Sequence, residues 1–324
     1  MTGIRAIIRK ELADHFSSYR FIILFALIAM VSLIITHMVG TNLRKELDSA
    51  VSVVSPEFQF VFLRIFTSTG PLSLVQFVAF FGPFIGLVLG FDSINRERSS
   101  GTLSKLASQP IYRDAIIIGK LRSGVATIAI MVTSIVMVVS GLGLTLIGVE
   151  PGIEELWRIV VYLIISIFYI SFWLGISILF SILFRGIATS ALATLAIWIF
   201  FLLFGAVGPS VVANSLVPLE TEESRERFMK HLRVQQIVSL VSPMQLYNES
   251  TAIIIDPMRK TTRSDVLMGM GRIERALSER FRRPLALSQS IYVVLPHMIT
   301  LIAITFICFG VSYAVFMKQE IRSA

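Results

Sequence analysis

The chain is short of charge. Of its 324 residues, 15% are Asp, Glu, Lys or Arg against 55% hydrophobic, and the mean hydropathy is +0.78. A soluble globular domain has a similar apolar share but about a quarter charged residues, so the deficit argues against an ordinary soluble fold. Cysteine is nearly absent. Cys308 stands alone, which excludes an intrachain disulfide and a cysteine-based zinc site. The four histidines, His15, His37, His231 and His297, are scattered and form no H-E-x-x-H pair. There is no G-x-x-x-x-G-K-[ST] loop, because Gly119-Lys120 runs on to Leu121 without the upstream glycine. The apolar runs hold almost no acidic residues, which argues against a carrier coupled to protons or sodium through buried carboxylates. With no catalytic pair either, the chain does not read as an enzyme.

What is present is a series of long apolar runs. Six charge-free stretches exceed the roughly 20 residues a helix needs to cross a bilayer core. Their pattern predicts an all-α polytopic membrane protein with spans at about 21–40, 73–91, 124–147, 159–184, 187–212 and 290–317. Residues 1–20 read as an amphipathic helix, with Ile4, Ile7, Ile8, Leu12, Phe16 and Tyr19 at helical spacing between Arg5, Arg9, Lys10 and Asp14. Such a helix lies along a membrane surface. No cleavable signal is evident there. Only Arg185-Gly186 separates the fourth and fifth spans, which makes them a hairpin. The second span carries Gly82, Gly86 and Gly90 on one face, a small-residue seam for close helix packing, with Pro83 as a possible kink.

The domain reading is therefore an amphipathic segment 1–20, spans 1–5 over 21–212 with a polar connector at 92–122, a long segment 213–289, and the last span with its tail at 290–324. Helical patterns are expected at about 221–240 and 264–281 within the long segment. His297 is the one titratable group read inside a span, and Asn248-Glu249-Ser250 matches a glycosylation triplet.

The net charge of +8 reads as topology-setting loop charge, since no stacking aromatics are interleaved with a soluble basic face. Nucleic acid is not an expected partner. If both termini are cytoplasmic, the short inside segments hold Arg5, Arg9, Lys10, Arg20, Arg96, Arg98, Lys105, Arg113, Lys120, Arg122, Arg185, Lys318 and Arg322. The short outside segments then hold only Arg44, Lys45, Arg64 and Arg158. This asymmetry favours cytoplasmic termini, a cytoplasmic 92–122 connector and an extracytoplasmic 213–289 segment.

The connector carries the most specific pattern in the chain: Asp92, Arg96-Glu97-Arg98, Gly101-Thr102-Leu103, Leu106, Ser108-x-Pro110, Arg113 and Gly119-Lys120-Leu121. By residue chemistry, Gly101 offers a backbone break and Thr102 a cap for a following helix. Leu103 and Leu106 give a small apolar face, and Asp92 stands four residues before Arg96, a spacing for an ion pair. This pattern, with Lys10-Glu11-Leu12 near the N-terminus and the six-span count, resembles the ABC-2 type transporter permeases, most closely their NosY-like branch. Lys105 and the length of 213–289 depart from the family pattern.

The resemblance implies a permease subunit of an ABC transporter in the plasma or inner membrane. Its connector would be a coupling helix docked on a separate ATPase subunit, which binds the ATP and Mg. Asp92, Arg96, Glu97, Arg98, Gly101, Thr102, Leu103 and Leu106 would then lie at or near that contact. It also implies a second permease half, as homodimer or heterodimer, and makes residues 1–20 an elbow helix. The expected activity is export of a hydrophobic or conjugated molecule. The alternative is mechanotransmission, in which the same motion acts on an extracytoplasmic partner through 213–289 and nothing crosses.

Overall fold

The computed structural model describes residues 2–49, 60–67, 73–102, 112–218, 225–258 and 284–319. Among these the chain is helical and contains no strand. In order the elements are α1 (Thr2–Ser17), α2 (Tyr19–Ser49), a 3-10 turn (Phe62–Ile65), α3 (Leu74–Gly90), α4 (Asn95–Ser99), α5 (Arg113–Ile147), α6 (Ile153–Leu183), α7 (Ile187–Leu216), α8 (Arg225–Ser239), α9 (Pro243–Ile255) and α10 (Leu287–Lys318). Six of them, α2, α3, α5, α6, α7 and α10, are long and apolar enough to cross a membrane. The chain is a multi-pass membrane protein.

The helix ends follow from local chemistry. Ser73 opens α3 by accepting the Gln76 N–H at 3.1 Å. Gly148 closes α5 in the left-handed region at φ 73, which a glycine adopts without Cβ strain. Two helices begin earlier than the apolar runs imply. α5 starts at Arg113 and α6 at Ile153, so Asp114, Lys120, Glu154, Glu155 and Arg158 are all helical. Charge marks where lipid ends, but a helix propagates past that point.

α6 is the hub, with α3, α5, α9 and α10 packed around it. In lipid there is little hydrophobic drive between helices, so close approach and interhelical hydrogen bonds decide the packing. The glycine seam of α3 faces α6 of the same chain. A Cβ at Gly86 would sit 2.6 Å from the Leu174 nitrogen and 2.7 Å from the Ile170 carbonyl, and one at Gly90 would sit 2.6 Å from the Ser177 Cβ. One at Gly82 would meet Ile170 at 3.1 Å. The seam also resolves the defect made by Pro83. A proline has no N–H for the carbonyl four residues back, which here is Ala79. The Tyr169 hydroxyl on α6 donates to that carbonyl at 2.6 Å, and α3 continues as helix through Pro83.

The chain has two ends. One gathers α1, α4, the start of α5, the α6–α7 turn and the end of α10. The other gathers the 3-10 turn, the α5–α6 turn, α8 and α9. α8 matches the expected amphipathic pattern, and residues 264–281 lie outside the described residues. α9 was not foreseen. It is inserted against α6, α10 and α3 with Leu246, Tyr247, Ile253, Ile254 and Ile255 buried. Ser250 is buried there too, while Asn248 and Glu249 of the glycosylation triplet are partly exposed. His297 is half-buried in α10, and its Nδ1 makes no hydrogen bond.

Candidate functional site: the α4 end of the bundle

α4 is a short helix whose two faces have different fates. Its amino end is clamped onto the α6–α7 turn: the Ile94 and Asn95 N–H groups donate to Ser181 Oγ at 3.0 and 3.2 Å. The Asn95 side chain donates to the Gly186 carbonyl at 3.3 Å. Ser181 therefore satisfies amide groups that a helix start leaves without intrahelical acceptors. The opposite face, with Arg96 and Ser99, is exposed, as are Ser100, Gly101 and Thr102 beyond it.

Glu97 lies on the inward face, where the expectation had it near a partner surface. The residue is 8% exposed, and its carboxylate accepts from Lys120 Nζ at 3.0 Å and from Lys10 Nζ at 3.2 Å. Glu11 on α1 accepts from the same two ammonium groups, at 3.0 Å from Lys120 and 3.2 Å from Lys10. The four side chains close a ring of alternating charge that joins α1, α4 and α5. Both carboxylates sit against cations because isolated charges at this burial would each cost several kcal/mol. Tertiary placement, and not the i,i+4 spacing, also sets the partner of Asp92. Its carboxylate pairs with Arg20 at 2.9 Å, while only the Arg96 backbone N–H returns, to the Asp92 carbonyl at 2.9 Å.

The ring sets the protonation of its α1 members. Burial raises Glu11, but Lys120 and Lys10 outweigh it and hold the carboxyl below the usual glutamate value. Partial burial lowers Lys10, while Glu11 and Glu97 raise it, for a net upward shift. His15, one turn on from Glu11, is pushed down by burial, with Glu11 opposing and Lys120 assisting. Glu11 and Lys10 are therefore charged, and His15 neutral, at neutral pH. A cavity of about 530 Å³ lies beside the ring, walled by Lys10, Asp14, Arg20, Asp92, Arg96 and Lys120 among others.

The carboxyl end of α4 turns away from the bundle. Gly101 has φ 68, and no neighbour lies within 4 Å of where its Cβ would be, so backbone conformation alone calls for glycine here. Thr102 Oγ1 donates back to the Glu97 carbonyl at 3.2 Å and closes α4. Leu103, Leu106, Ser108 and Pro110 lie outside the described residues. Arg98, half-buried, reaches the far end of the chain and donates to the Gln319 side chain at 2.8 Å.

The opposite end has its own buried cation, which sequence reasoning used only as a topology charge. Arg158 is fully buried in α6. Its guanidinium donates to the Ile254 carbonyl at 2.9 Å, to Ser290 Oγ at 3.2 Å, to Glu154 at 2.9 Å and to the Leu285 carbonyl. It thereby pins the end of α9 and the start of α10 to α6. A neighbouring carboxylate, Glu155, accepts the Phe62 N–H at 3.1 Å and fixes the 3-10 turn. Arg158 and Glu155 were detectable only as charges beside an apolar run, a signal shared with every loop. Among the described residues, no three His, Cys, Asp or Glu side chains gather as a metal site.

The arrangement joins α1, α4 and α5 through charge pairs and leaves one face of α4 exposed. Its mechanical features agree with the comparison to known families. No curated protein matches the chain. The family model described as ABC-2 family transporter protein matches residues 5–321, nearly the whole length, and so includes most of α1, α4 and all six long helices. The chain belongs to the ABC-2 transporter family.

Proposed function

We propose that this permease subunit is driven by ATP and Mg handled on a separate ATPase subunit, which docks on the exposed face of α4 and the residues after it. In this reading both termini and the 92–122 connector are cytoplasmic, α1 is an elbow helix at the inner membrane surface, and α8 and α9 face outward in the plasma or inner membrane. The working unit contains two permease halves. The observation that carries the reading is the contrast across α4: Arg96 and Ser99 face solvent, whereas Glu97, Asn95 and Arg98 are tied to α1, α5, α6 and the end of α10. A partner pushing on the outer face thus acts on four helices at once.

Export of a hydrophobic or conjugated molecule is the activity we assign, and the motif in 92–122 supports the NosY-like branch. Mechanotransmission is the second reading. It is favoured by the rigid fastening of α9 to α6 and α10 through Arg158, which would carry motion of the bundle to an outer surface. Vectorial movement of cargo in a reconstituted complex separates the two.

The docking assignment is tested with Arg96→Glu, which reverses an exposed charge and touches no buried contact. Loss of ATPase co-purification with normal membrane insertion is expected, and unchanged assembly would overturn the assignment. Cysteines at Tyr112 and Val241, both exposed, report the topology. The first should label only after permeabilisation and the second from outside intact cells.

A further inference from the structure

Gln319 stands outside every motif discussed above, one residue beyond the last helix. Its side-chain oxygen accepts from Arg98 Nη2 on α4 at 2.8 Å, and its side-chain nitrogen donates to the Ile182 carbonyl of α6 at 2.8 Å. Its main-chain carbonyl accepts from Arg113 Nη2 at the start of α5 at 2.6 Å. Arg113 also donates to the Phe316 carbonyl at 3.3 Å, with its guanidinium over the Phe316 ring at 5.8 Å from the centroid. One residue thus meets α4, α5 and α6 while terminating α10.

Each contact has a local cause. The last four carbonyls of a helix lack intrahelical partners. Ile182 lies in the last turn of α6 and Phe316 in the last turn of α10, so both present such carbonyls. The two arginines bring positive charge to the negative end of α10, the favourable sense for the helix dipole. Satisfying a cation and a carbonyl with one side chain requires an acceptor and a donor fixed on the same group. A carboxylate accepts only, an ammonium or guanidinium donates only, and the amide does both.

We propose that Gln319 is a positioning residue for coupling: it locks α4 to the inner ends of α6 and α10, so that displacement of α4 is passed to the last span. This rests on the reading of α4 as the ATPase-docking segment. Besides the direct hold of Ser181 and Gly186 on the amino end of α4, two chemically separate routes leave this helix: the charge ring through Glu97 to α1 and α5, and the Gln319 junction to α10. The first depends on ion pairs. The second depends on an amide whose two ends face different helices.

The test uses the permease with its ATPase in nanodiscs, in a Cys308→Ser background. Spin labels at Ser99→Cys on α4, Met317→Cys on α10 or Phe184→Cys after α6 are each paired with one at Val149→Cys at the opposite end. Distances are measured nucleotide-free and after ADP–vanadate trapping. In the otherwise unsubstituted complex all three distances should shift on trapping. Gln319→Met removes both side-chain contacts, and the α10 shift should be lost while the α4 shift, and the α6 shift carried by Ser181, remain. Gln319→Glu keeps an acceptor for Arg98 but places an oxygen against the Ile182 carbonyl. It should retain the α10 shift with the α6 shift unchanged, and loss of the α10 shift in this variant would overturn the proposal even if the Met variant does not assemble. An α10 shift in Gln319→Met equal to that of the unsubstituted complex overturns the proposal and leaves the docking reading standing. No α4 shift in the unsubstituted complex overturns the docking reading, and the proposal with it.

Discussion

The two ends of the bundle each bury one cation from a long helix, and they do so by opposite means. Lys120 sits among carboxylates contributed by α1 and α4, and the half-exposed Lys10 shares both of them. Arg158 sits among main-chain carbonyls from α9 and the approach to α10, with Glu154 one turn back on its own helix. A compact ammonium in an alternating ring can exchange partners as helices shift, because three of the four ring bonds are charge pairs between separate elements and only Lys10–Glu11 lies within one helix. A planar guanidinium spread over carbonyls has a fixed fork geometry and holds one arrangement. The α4 end is accordingly built as a joint and the α9 end as a clamp.

The largest effect should come from breaking the joint. Lys120→Met leaves Glu11 and Glu97 buried with only Lys10 between them, and loss of one partner from a buried ion cluster costs about 3–5 kcal/mol. Unfolding in mixed micelles measures it. Adding Glu11→Gln should recover part of the loss, since a double-mutant cycle reads the coupling. If Lys120→Met shifts stability by less than the error, the ring does not hold α1 in place.

The clamp should respond less to a charge-conserving change. Arg158→Lys keeps the positive charge but cannot reach Ile254, Leu285 and Glu154 together, leaving at least one buried carbonyl unpaired for about 1–3 kcal/mol. The expected signature is faster hydrogen exchange confined to α9 and the start of α10, with α1 unchanged. Exchange spread evenly over the bundle would remove the distinction between clamp and joint.

Acid should give the smallest and most selective effect. Glu11 is held below the ordinary value of 4.5, so its contribution is present above that pH and is lost as pH falls through the lower folded value. Lys10 is raised above 10.5, so its contribution is complete below that pH and is lost only in strong alkali. The Glu11 and Lys10 contributions are thus both complete from about pH 4.5 to 10.5, and that of Glu11 is lost on the acid side. A spin label at Ala13→Cys should become mobile below the Glu11 window while one at Val241→Cys does not. Equal mobility at both sites would show that acid loosens the whole bundle.

How much of this was legible follows from particular residues. Gly82, Gly86 and Gly90 announced a packing seam through their spacing alone, but spacing does not say which helix fills it. The Tyr169 bond to the Ala79 carbonyl answers that, and it depends on α6 standing beside Pro83. Asp92 and Arg96 suggested a pair by the rule for neighbouring turns. Arg20, 72 residues away in sequence, took the carboxylate because α2 begins beside the end of α3. α9 was hidden because its 13 residues are too short to span a bilayer and sit in a segment read as polar and exposed. Gln319 carried no signal, since its worth lies in four elements meeting at one point.

The sequence by itself determined the membrane class, the number of spans and the place of the connector. Those depend on one-dimensional quantities, namely the length of charge-free runs and the charges flanking them. Only the tertiary structure decided that Glu97 faces inward, that Arg158 is buried and that Gln319 joins four helices. A partner is chosen by which helix ends coincide in space, and that is settled by packing across the whole bundle, not by the residues flanking any one of them.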